Sequence, residues 1–422
     1  MRRSLVAVAA AVVCAAGFLA AASPDAQAAT TSRIPAHVFA PYFEAYNGDS
    51  LSGLSSQSGN RFLTLAFVQT PSPGSCTVYF NGDTSMPIAS STFGSDIAAI
   101  RAAGGDVIPS FGGYAADNGG TEIADSCTSV DSIAAQLEKV ITTYDVTRLD
   151  LDIEDNSLTN AAGIDRRNKA IKKVEDWAAA NGRLVEFSYT LPTTTSGLAD
   201  NGLAVLRNAV SNGARIDIVN MMTFDYYDNA AHNMATDTQT SANGLVNQLR
   251  ALYPGKTTAQ LWQMVGIIEM IGVDDFGPAE TFTIANAQTV TAWAKTQGIR
   301  SLSFWALQRD NGGCPGGAAA DNCSGIAQST WQFSKIMQSF TSGTTTTPPT
   351  TAPTTAPTTT PPTTPPTTPP TTAPGTTTWA PYTAYTAGQI VTYNGKRYQC
   401  RQSHTSLPGW EPPNVLALWL PL

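Results

Sequence analysis

The sequence alternates between two kinds of segment over about 300 residues, and this alternation limits the folds open to the chain. Segments with helical periodicity separate short runs that are rich in apolar, β-branched or aromatic residues. In the clearest helical segment, 130–144, the apolar and aromatic positions fall on one helix face. Eight strands with intervening helices predict a (β/α)8 barrel. An open doubly wound sheet is the alternative, but eight strands fit closure better. The runs are 37–43, 62–69, 106–114, 148–154, 184–191, 216–226, 263–271 and 301–308.

The fourth run carries three acidic residues that alternate with aliphatic ones. Side chains alternate faces along a strand, so Asp150, Asp152 and Glu154 share one face, with neighbours about 6.5–7 Å apart. Crowded carboxylates raise one another's pKa, and at least one then stays protonated near neutrality. A protonated carboxyl beside an ionised one is what cleavage of a glycosidic bond requires. The alternative is a surface strand with a solvated acidic face. The aliphatic opposite face and the loop-forming residues 155–157 favour a strand end at a barrel mouth.

Three other strand ends carry residues suited to a sugar ring, which has apolar faces and a polar rim. The third run ends with Gly112 and Gly113, whose missing side chains would let a ligand approach the backbone. An ordinary strand-end turn is the alternative for this pair. The sixth run ends with residues 220–227, which are rich in Met, Tyr and Asp, and the eighth carries Trp305. For Trp305, the alternative is packing in the core.

Residues 147–154 resemble the D-x-x-D-x-D-x-E motif of glycoside hydrolase family 18, the chitinases. The resemblance extends to Ser-Phe-Gly-Gly at 110–113, to Met-Thr-Phe-Asp at 222–225 and to Trp305. These elements fall on predicted strands three, four, six and eight in order. The resemblance therefore covers roughly residues 36–340 and is specific.

The resemblance implies that Glu154 is the general acid that protonates the glycosidic oxygen. The nucleophile would be the substrate's own N-acetyl carbonyl, which gives an oxazolinium intermediate and retention of configuration. Asp152 would orient this acetamido group, and Asp150 would lie deeper and tune Asp152. Trp305 would form the floor of the sugar subsite beside the cleaved bond. No metal or organic cofactor is implied. The further candidate substrate contacts are Tyr42, Gly112, Gly113, Met222 and Asp225.

The sequence departs from the family pattern at two positions. Thr147 stands where the motif has its first Asp, deepest in the barrel, and a structural role is expected there. Phe224 stands where many members have a Tyr whose hydroxyl helps to hold the N-acetyl group. Tyr226, two residues on and therefore on the same strand face, is the candidate for that catalytic contact, and Tyr227 is expected to point away.

The chain begins with the features of a secretory signal peptide over residues 1–29: an arginine pair, an apolar stretch and an A-x-A cleavage site. Export permits disulfides. Cys314 and Cys323 flank a Gly/Pro/Ala loop and are predicted to pair, and Cys76 with Cys127 is the second predicted pair. Cys400 is left over, with a buried thiol as the expectation. Three histidines and the absence of Cys-x-x-Cys argue against a zinc site.

A segment of almost only Thr and Pro, residues 344–377, predicts an extended linker between two domains. The barrel would occupy 30–343, and a second domain 378–422. This last segment contains an Asn-Gly hairpin signal and too few residues to bury all its aromatics. It resembles a chitin-binding module of carbohydrate-binding family 5/12, which predicts a small all-β fold. Its candidate sugar contacts are Trp379, Tyr382 and Trp410, with packing in the core as the alternative for Trp379.

The expected function is that of a secreted, monomeric chitinase that acts on chitin and chitooligosaccharides. A formal net charge of −8 opposes nucleic acid or an anionic membrane as a partner. Three alternatives remain open: an endo-β-N-acetylglucosaminidase acting on N-glycans, a lectin that binds chitin without cleaving it, and a structural surface protein. The presence of Glu154 argues against a lectin, and the chitin-binding module favours chitin over N-glycans.

Overall fold

The structure is a computed structural model that describes residues 31–228, 230–342, 377–380, 383–401, 404–406, 411–413 and 418–422. The predicted signal peptide lies outside the described residues, as does the predicted linker except for its last residue. The chain separates into two compact units, one within residues 1–347 and the other within 348–422. Among the described residues, no helix has the length and apolar character needed to cross a membrane.

The first unit contains eight parallel barrel strands together with shorter strands in the loops. Its strands are β1 (Val38–Phe39), β2 (Tyr42–Glu44), β3 (Phe62–Gln69), β4 (Tyr79–Phe80), β5 (Asp106–Gly112), β6 (Arg148–Asp152), β7 (Glu186–Thr194), β8 (Gly197–Leu198), β9 (Ile218–Met222), β10 (Val265–Met270), β11 (Gly272–Asp274), β12 (Gly277–Phe282) and β13 (Ser301–Trp305).

The parallel strands close into a barrel, which confirms the predicted fold. Their order around the sheet is β1, β13, β10, β9, β7, β6, β5, β3, β2. β1 and β2 are two halves of one barrel strand that is interrupted at Ala40 and Pro41. The first half pairs with β13 and the second with β3, so the sheet has no open edge. The doubly wound alternative, which needs two edges, is therefore wrong.

Helices surround this barrel and cover the outward faces of its strands. The predicted amphipathic helix is α5, whose N-cap Ser129 accepts a hydrogen bond from the backbone of Ser132 at 3.2 Å. Residues on its predicted apolar face are buried, apart from Val130 at its start, which is half-buried. The helices are α1 (Leu51–Ser58), α2 (Gly94–Ala102), α3 (Tyr114–Gly119), α4 (Ile123–Ser126), α5 (Val130–Tyr144), α6 (Ala161–Ala180), α7 (Asp200–Ser211), α8 (Met234–Leu252), α9 (Thr258–Trp262), α10 (Ile284–Gln297), α11 (Gln332–Met337) and α12 (Ser339–Ser342).

An antiparallel hairpin, β11–β12, is inserted between barrel strand β10 and helix α10. Buried Arg309 fixes this hairpin, because its Nη2 donates to the carbonyl oxygen of Val273 at 2.7 Å. The hairpin starts at Gly272, which has a φ of +81° and lies so close to Ser324 that a Cβ would be 1.8 Å from the Ser324 carbonyl oxygen. The hairpin is thus held at the carboxyl end of the barrel strands, where the acidic residues also lie.

Both predicted disulfides are present. Cys76 pairs with Cys127, with 4.8 Å between their Cα atoms, and Cys314 pairs with Cys323, with 5.9 Å between theirs. The second disulfide closes a loop that carries Asp321 to the barrel mouth.

The second unit is a small β-structure, as predicted. Trp379 is buried in its core with Cys400 and Trp419, and its Nε1 donates to Ser406 Oγ at 3.0 Å. The candidate role of Trp379 as a sugar contact is therefore wrong and the alternative, packing in the core, is confirmed, because a small domain needs its largest side chains for its own core. Tyr382 and Trp410 lie outside the described residues. The strands are β14 (Thr377–Thr378), β15 (Ala384–Tyr385), β16 (Ile390–Tyr393), β17 (Lys396–Cys400), β18 (His404–Thr405) and β19 (Trp419–Pro421).

Candidate active site

Strand β6 places the acidic residues at one end of the barrel, as the alternation predicts. Leu149 and Leu151 belong to the apolar core, while Asp150 and Asp152 lie on the opposite strand face. The strand ends at Asp152, and Glu154 follows it in extended conformation. The backbone N–H of Glu154 donates to the carboxylate of Asp117, a residue that sequence reasoning missed.

Asp150 is the deepest of the three acids and is buried among hydroxyl groups. Ser110 Oγ, Thr190 Oγ1 and Tyr42 Oη donate to its carboxylate at 2.7, 2.8 and 2.9 Å, and Ser188 Oγ donates as well. Burial raises the pKa of Asp150, while these four hydrogen bonds act in the opposite direction. Asp150 does not line the cavity described below, so its position fits the expected role of tuning Asp152 from beneath.

Asp152 is buried and lies between the other two acids. Burial raises its pKa well above the ordinary value, and the charges of Glu154, Asp150 and Asp117 raise it further. Its Oδ1 atom has no hydrogen-bond partner among the described residues. This oxygen is therefore available to a polar group of a ligand, because a buried polar atom is costly unless something bonds to it.

Glu154 lies at the top of the row. Burial raises its pKa to about 7, with the charge of Asp225 as the next cause, while the backbone N–H of Tyr114 donates to the carboxyl and acts in the opposite direction. A carboxyl with this pKa is substantially protonated at neutral pH and can both give and take a proton there.

A cavity of about 380 Å³ opens above Asp152 and Glu154. Its floor is aromatic: the indole of Trp305 stacks on the ring of Phe67, with 5.6 Å between ring centroids and 10° between ring planes. Tyr42, which donates to Asp150, packs against the same indole at 5.9 Å. The lining residues are Tyr42, Phe67, Tyr114, Asp152, Glu154, Met222, Phe224, Asp225, Tyr227, Ile268, Met270, Asp275, Trp305 and Asp321.

The predicted contacts Tyr42, Met222, Asp225 and Trp305 therefore meet in one cavity with Asp152 and Glu154. Trp305 is only partly buried, so it combines a core contact with a surface toward the ligand.

The prediction for Tyr226 is wrong, and so is the prediction that Tyr227 points away. Strand β9 ends at Met222, and the backbone then takes positive φ values at Asp225 (+54°) and Tyr227 (+58°). Strict alternation of faces stops where the strand stops. Tyr226 packs instead against His232, with 5.0 Å between ring centroids, while Tyr227 lines the cavity.

The prediction for Gly112 and Gly113 is also wrong, because both are buried and neither lines the cavity. A Cβ on Gly112 would lie 2.0 Å from the carbonyl oxygen of Asp152. A Cβ on Gly113 would lie 2.6 Å from the ring of Phe67. The two glycines let strand β5 pack closely against β6 and against the aromatic floor, so they shape the cavity without contacting a ligand.

Several cavity residues were missed by sequence reasoning. Phe67 lies inside a predicted strand that has the pattern of ordinary core, and Tyr114 was not among the predicted contacts. Asp275 comes from the inserted hairpin and Asp321 from the disulfide-closed loop. Only Tyr114, directly after the Gly-Gly turn, had a signal in the sequence that could have found it.

The sequence matches the family model of glycosyl hydrolases family 18 over residues 38–394 and that of carbohydrate-binding module family 5/12 over residues 378–420. A similar solved structure is the catalytic domain of a hyperthermophilic chitinase from Pyrococcus furiosus. It has 31% sequence identity and a TM-score of 0.65, and the match covers 74% of this chain and 98% of that one.

Two curated relatives are similar over the barrel. One is a probable bifunctional chitinase/lysozyme of Escherichia coli, 33% identical over 67% of this chain, and the other is endochitinase 11 of Metarhizium anisopliae, 32% identical over 65% of this chain. The matched stretches span 32% and 53% of the lengths of these two relatives. The family match covers most of the chain and includes the β6 acids and the aromatic floor. The chain therefore belongs to the glycosyl hydrolases of family 18.

Proposed function

We propose that the protein is a chitinase that hydrolyses β-1,4 bonds between N-acetylglucosamine units with retention of configuration and with help from the substrate's own N-acetyl group. The observation that carries this proposal is the pair formed by Glu154, whose pKa is about 7, and Asp152, whose Oδ1 is buried without a hydrogen-bond partner among the described residues. The first can donate a proton at neutral pH, and the second can receive one hydrogen bond from a ligand.

In the first step, a sugar ring stacks on Trp305 and its glycosidic oxygen receives the proton of Glu154. The acetamido N–H of that sugar donates to Asp152, which holds the acetamido oxygen against the anomeric carbon. The bond from the anomeric carbon to the leaving sugar breaks as the bond to the acetamido oxygen forms, giving a cyclic oxazolinium ion. Asp152, and Asp150 beneath it, stabilise its positive charge.

In the second step, Glu154 is an anion and removes a proton from water as the water attacks the anomeric carbon. The bond to the acetamido oxygen breaks as the bond to the water oxygen forms, and the product carries the hydroxyl on the original β face. Two inversions at one carbon give net retention. A single carboxyl can serve both steps because its pKa lies near the working pH.

A second cavity supports a polymeric substrate. It has a volume of about 630 Å³ and lies next to the first, since Asp321 lines both. Trp331 and the polar side chains of Asn47, Gln308 and Asn322 also line it. An aromatic ring surrounded by amides is suited to a sugar unit. We therefore expect longer chitooligosaccharides to be cleaved faster than dimers, because their additional units reach this cavity.

The second unit supports chitin as the partner, through its match to carbohydrate-binding module family 5/12. A covalent tether between a binding unit and a barrel raises the local concentration of the barrel at its substrate. We further propose that the protein is secreted, on the basis of the signal-peptide features of residues 1–29.

The test is the anomeric form of the first product. A chitotetraose solution is digested and the anomeric protons are followed by NMR from the first minute. The proposal predicts that the β-anomer appears first and the α-anomer later, by mutarotation. A fully deacetylated tetramer, the control, is expected not to react. Initial release of the α-anomer, or equal cleavage of the deacetylated substrate, contradicts the proposal.

A further inference from the structure

The inserted hairpin β11–β12 brings a buried carboxyl, Asp274, against Asp225 in the active-site wall. Asp274 is 1% exposed, and its Oδ1 accepts the backbone N–H of Phe276 at 2.7 Å. The side chain of Asp225 lies against it and is, after burial, the next cause that raises the pKa of Asp274. Asp225 lines the catalytic cavity, and its charge raises the pKa of Glu154. Asp274 thus acts on the general acid, Glu154, through one intervening residue, Asp225.

A hydrogen bond between two carboxyl groups requires a proton on one of them. Asp225 Oδ1 and Asp274 Oδ2 are both buried, and among the described residues neither accepts a hydrogen bond from an N–H or hydroxyl donor. Burial raises the pKa of Asp274 to about 9, and the neighbouring carboxyl of Asp225 is the next cause. Asp274 therefore holds a proton at neutral pH that it can donate to the neighbouring oxygen of Asp225.

The hairpin cannot easily move Asp274 away from this contact. Arg309 Nη2 donates to the backbone of Val273, and the N–H of Val273 donates to the carbonyl oxygen of Ser324 at 2.8 Å. On the other side, the ring of Phe276 packs edge-on against Tyr227, with 5.0 Å between ring centroids. The packing of the barrel rim thus sets the position of Asp274.

The electrostatic surroundings of the pair are mostly acidic, and Arg309 supplies the nearby positive charge among the described residues. The charged and titratable groups around Asp225 and Asp274 are Glu154, Tyr226, Tyr227, Asp275, Glu280 and Arg309. Because acids dominate this set, a second negative charge on the pair would be strongly repelled.

We propose that Asp274 is a positioning residue for the hydrolysis: it donates its carboxyl proton to Asp225, holds the pair at a single negative charge and fixes the Asp225 carboxylate beside Glu154. This inference rests on the proposed function. It predicts that the enzyme loses activity in two stages as the pH rises, first when Glu154 ionises and again when Asp274 ionises and the two aspartates repel each other.

The kinetic test compares Asp274→Asn with Asp274→Ala on a soluble chitooligosaccharide. The amide of Asn still donates to Asp225 and cannot ionise, so at least about half of the wild-type kcat is expected at pH 6. Ala removes the donor, so we expect kcat to fall about tenfold, with KM changed less than kcat. Thermal melts of both variants check that they are folded.

The pH dependence separates positioning from a merely structural role. For the wild type, log kcat/KM is expected to fall with a slope of −1 above about pH 7 and with a slope of −2 above about pH 9, because two protons are then lost. Asp274→Asn is expected to keep a slope of −1 throughout. Equal slopes in the two proteins, or equal loss of kcat in the Asn and Ala variants, overturn the proposal.

An activity-independent measurement keeps this inference distinct from the proposed function. Infrared spectra at pH 8 are compared between Glu154→Gln and the double variant Glu154→Gln with Asp274→Asn. The difference spectrum should contain the C=O stretching band of one protonated carboxylic acid. If the wild type fails to cleave chitooligosaccharides but this band is present, the proposed function fails and the shared proton stands. If the band is absent, the inference fails.

Discussion

The two ends of strand β6 hold buried charges in opposite ways. At its start, Arg148 is 1% exposed and its Nη2 pairs with Glu186 at 2.8 Å, while Arg300 pairs with the other oxygen of Glu186. At its end, Asp152 and Glu154 face a cavity whose lining contains no lysine or arginine among the described residues. One end is electrically compensated, and the other is not.

The pKa values follow this difference. Burial alone would raise the pKa of Glu186, but Arg148 and Arg300 outweigh burial, so the pKa lies below its ordinary value. No such partner opposes burial at Asp152 and Glu154, and their pKa values rise. A buried carboxyl thus supports the fold where it is paired, and it retains a transferable proton where it is left unpaired.

The largest effect is expected from Glu154→Gln, which keeps size and polarity but removes the transferable proton. We expect kcat on chitooligosaccharides to fall by about a hundred- to a thousandfold or more, with an unchanged melting temperature or a higher one. Steady-state kinetics and a thermal melt check this. Near-normal turnover would show that the proton comes from another group.

The matched change at the other end of the strand is Glu186→Gln. It leaves buried Arg148 without a full counter-charge, so we expect the free energy of unfolding to fall by on the order of 3 kcal/mol. Urea unfolding measures this loss. Below the unfolding transition kcat should stay within about twofold of wild type, because the paired charges lie at the far end of the barrel. A large loss of kcat in a folded variant would contradict the division between the two ends.

The tyrosine pair after β9 gives a smaller effect and tests the corrected positions. Tyr227 lines the cavity together with Asp225, and its hydroxyl is available to a ligand there, so Tyr227→Phe is expected to lower kcat by about tenfold. The hydroxyl of Tyr226 is buried and has no hydrogen-bond partner among the described residues. Tyr226→Phe should therefore leave kcat unchanged and the melting temperature equal or higher. The reverse pattern would restore the original prediction for Tyr226.

The smallest effect is expected from truncation after Gly343, which removes the second unit. The barrel has its own apolar core, so the truncated protein should melt normally. Hydrolysis of soluble oligomers should change by less than about twofold, while hydrolysis of solid chitin should fall several-fold because residence at the surface is lost. Equal rates on solid chitin with and without the second unit would refute its anchoring role.

Features that depend on regular periodicity could be predicted from the sequence. The eight strands, helix α5 and the shared face of Asp150 and Asp152 all follow from periods of two or 3.6 residues. Of the two rings that form the aromatic floor, only Trp305 was predicted, through the family resemblance. Phe67 could not be distinguished from any other core residue of a strand.

Features set by irregular backbone could not be predicted in the same way. The positive φ at Asp225 turns the chain. The alternation of strand faces therefore does not predict the directions of the Tyr226 and Tyr227 side chains. Asp274 lies about 50 residues from Asp225 on an inserted hairpin, and only tertiary packing brings the two together. The sequence shows the glycine pair Gly112 and Gly113. The neighbouring strand that requires glycine there lies close only in the folded structure, which a single sequence does not reveal.

The account depends most on the proton that Glu154 retains at neutral pH, and a carboxyl titration measures it directly. The protein is labelled with ¹³C at glutamate side-chain carboxyls, and the resonances of Glu154 and Glu186 are assigned by their loss in the two Gln variants. The account predicts a midpoint of about 7 for Glu154, matched by the first fall of kcat/KM, and a midpoint below its ordinary value for Glu186. A Glu154 midpoint near the ordinary value of 4.5 would contradict the account, because the carboxyl would then hold almost no proton at neutral pH.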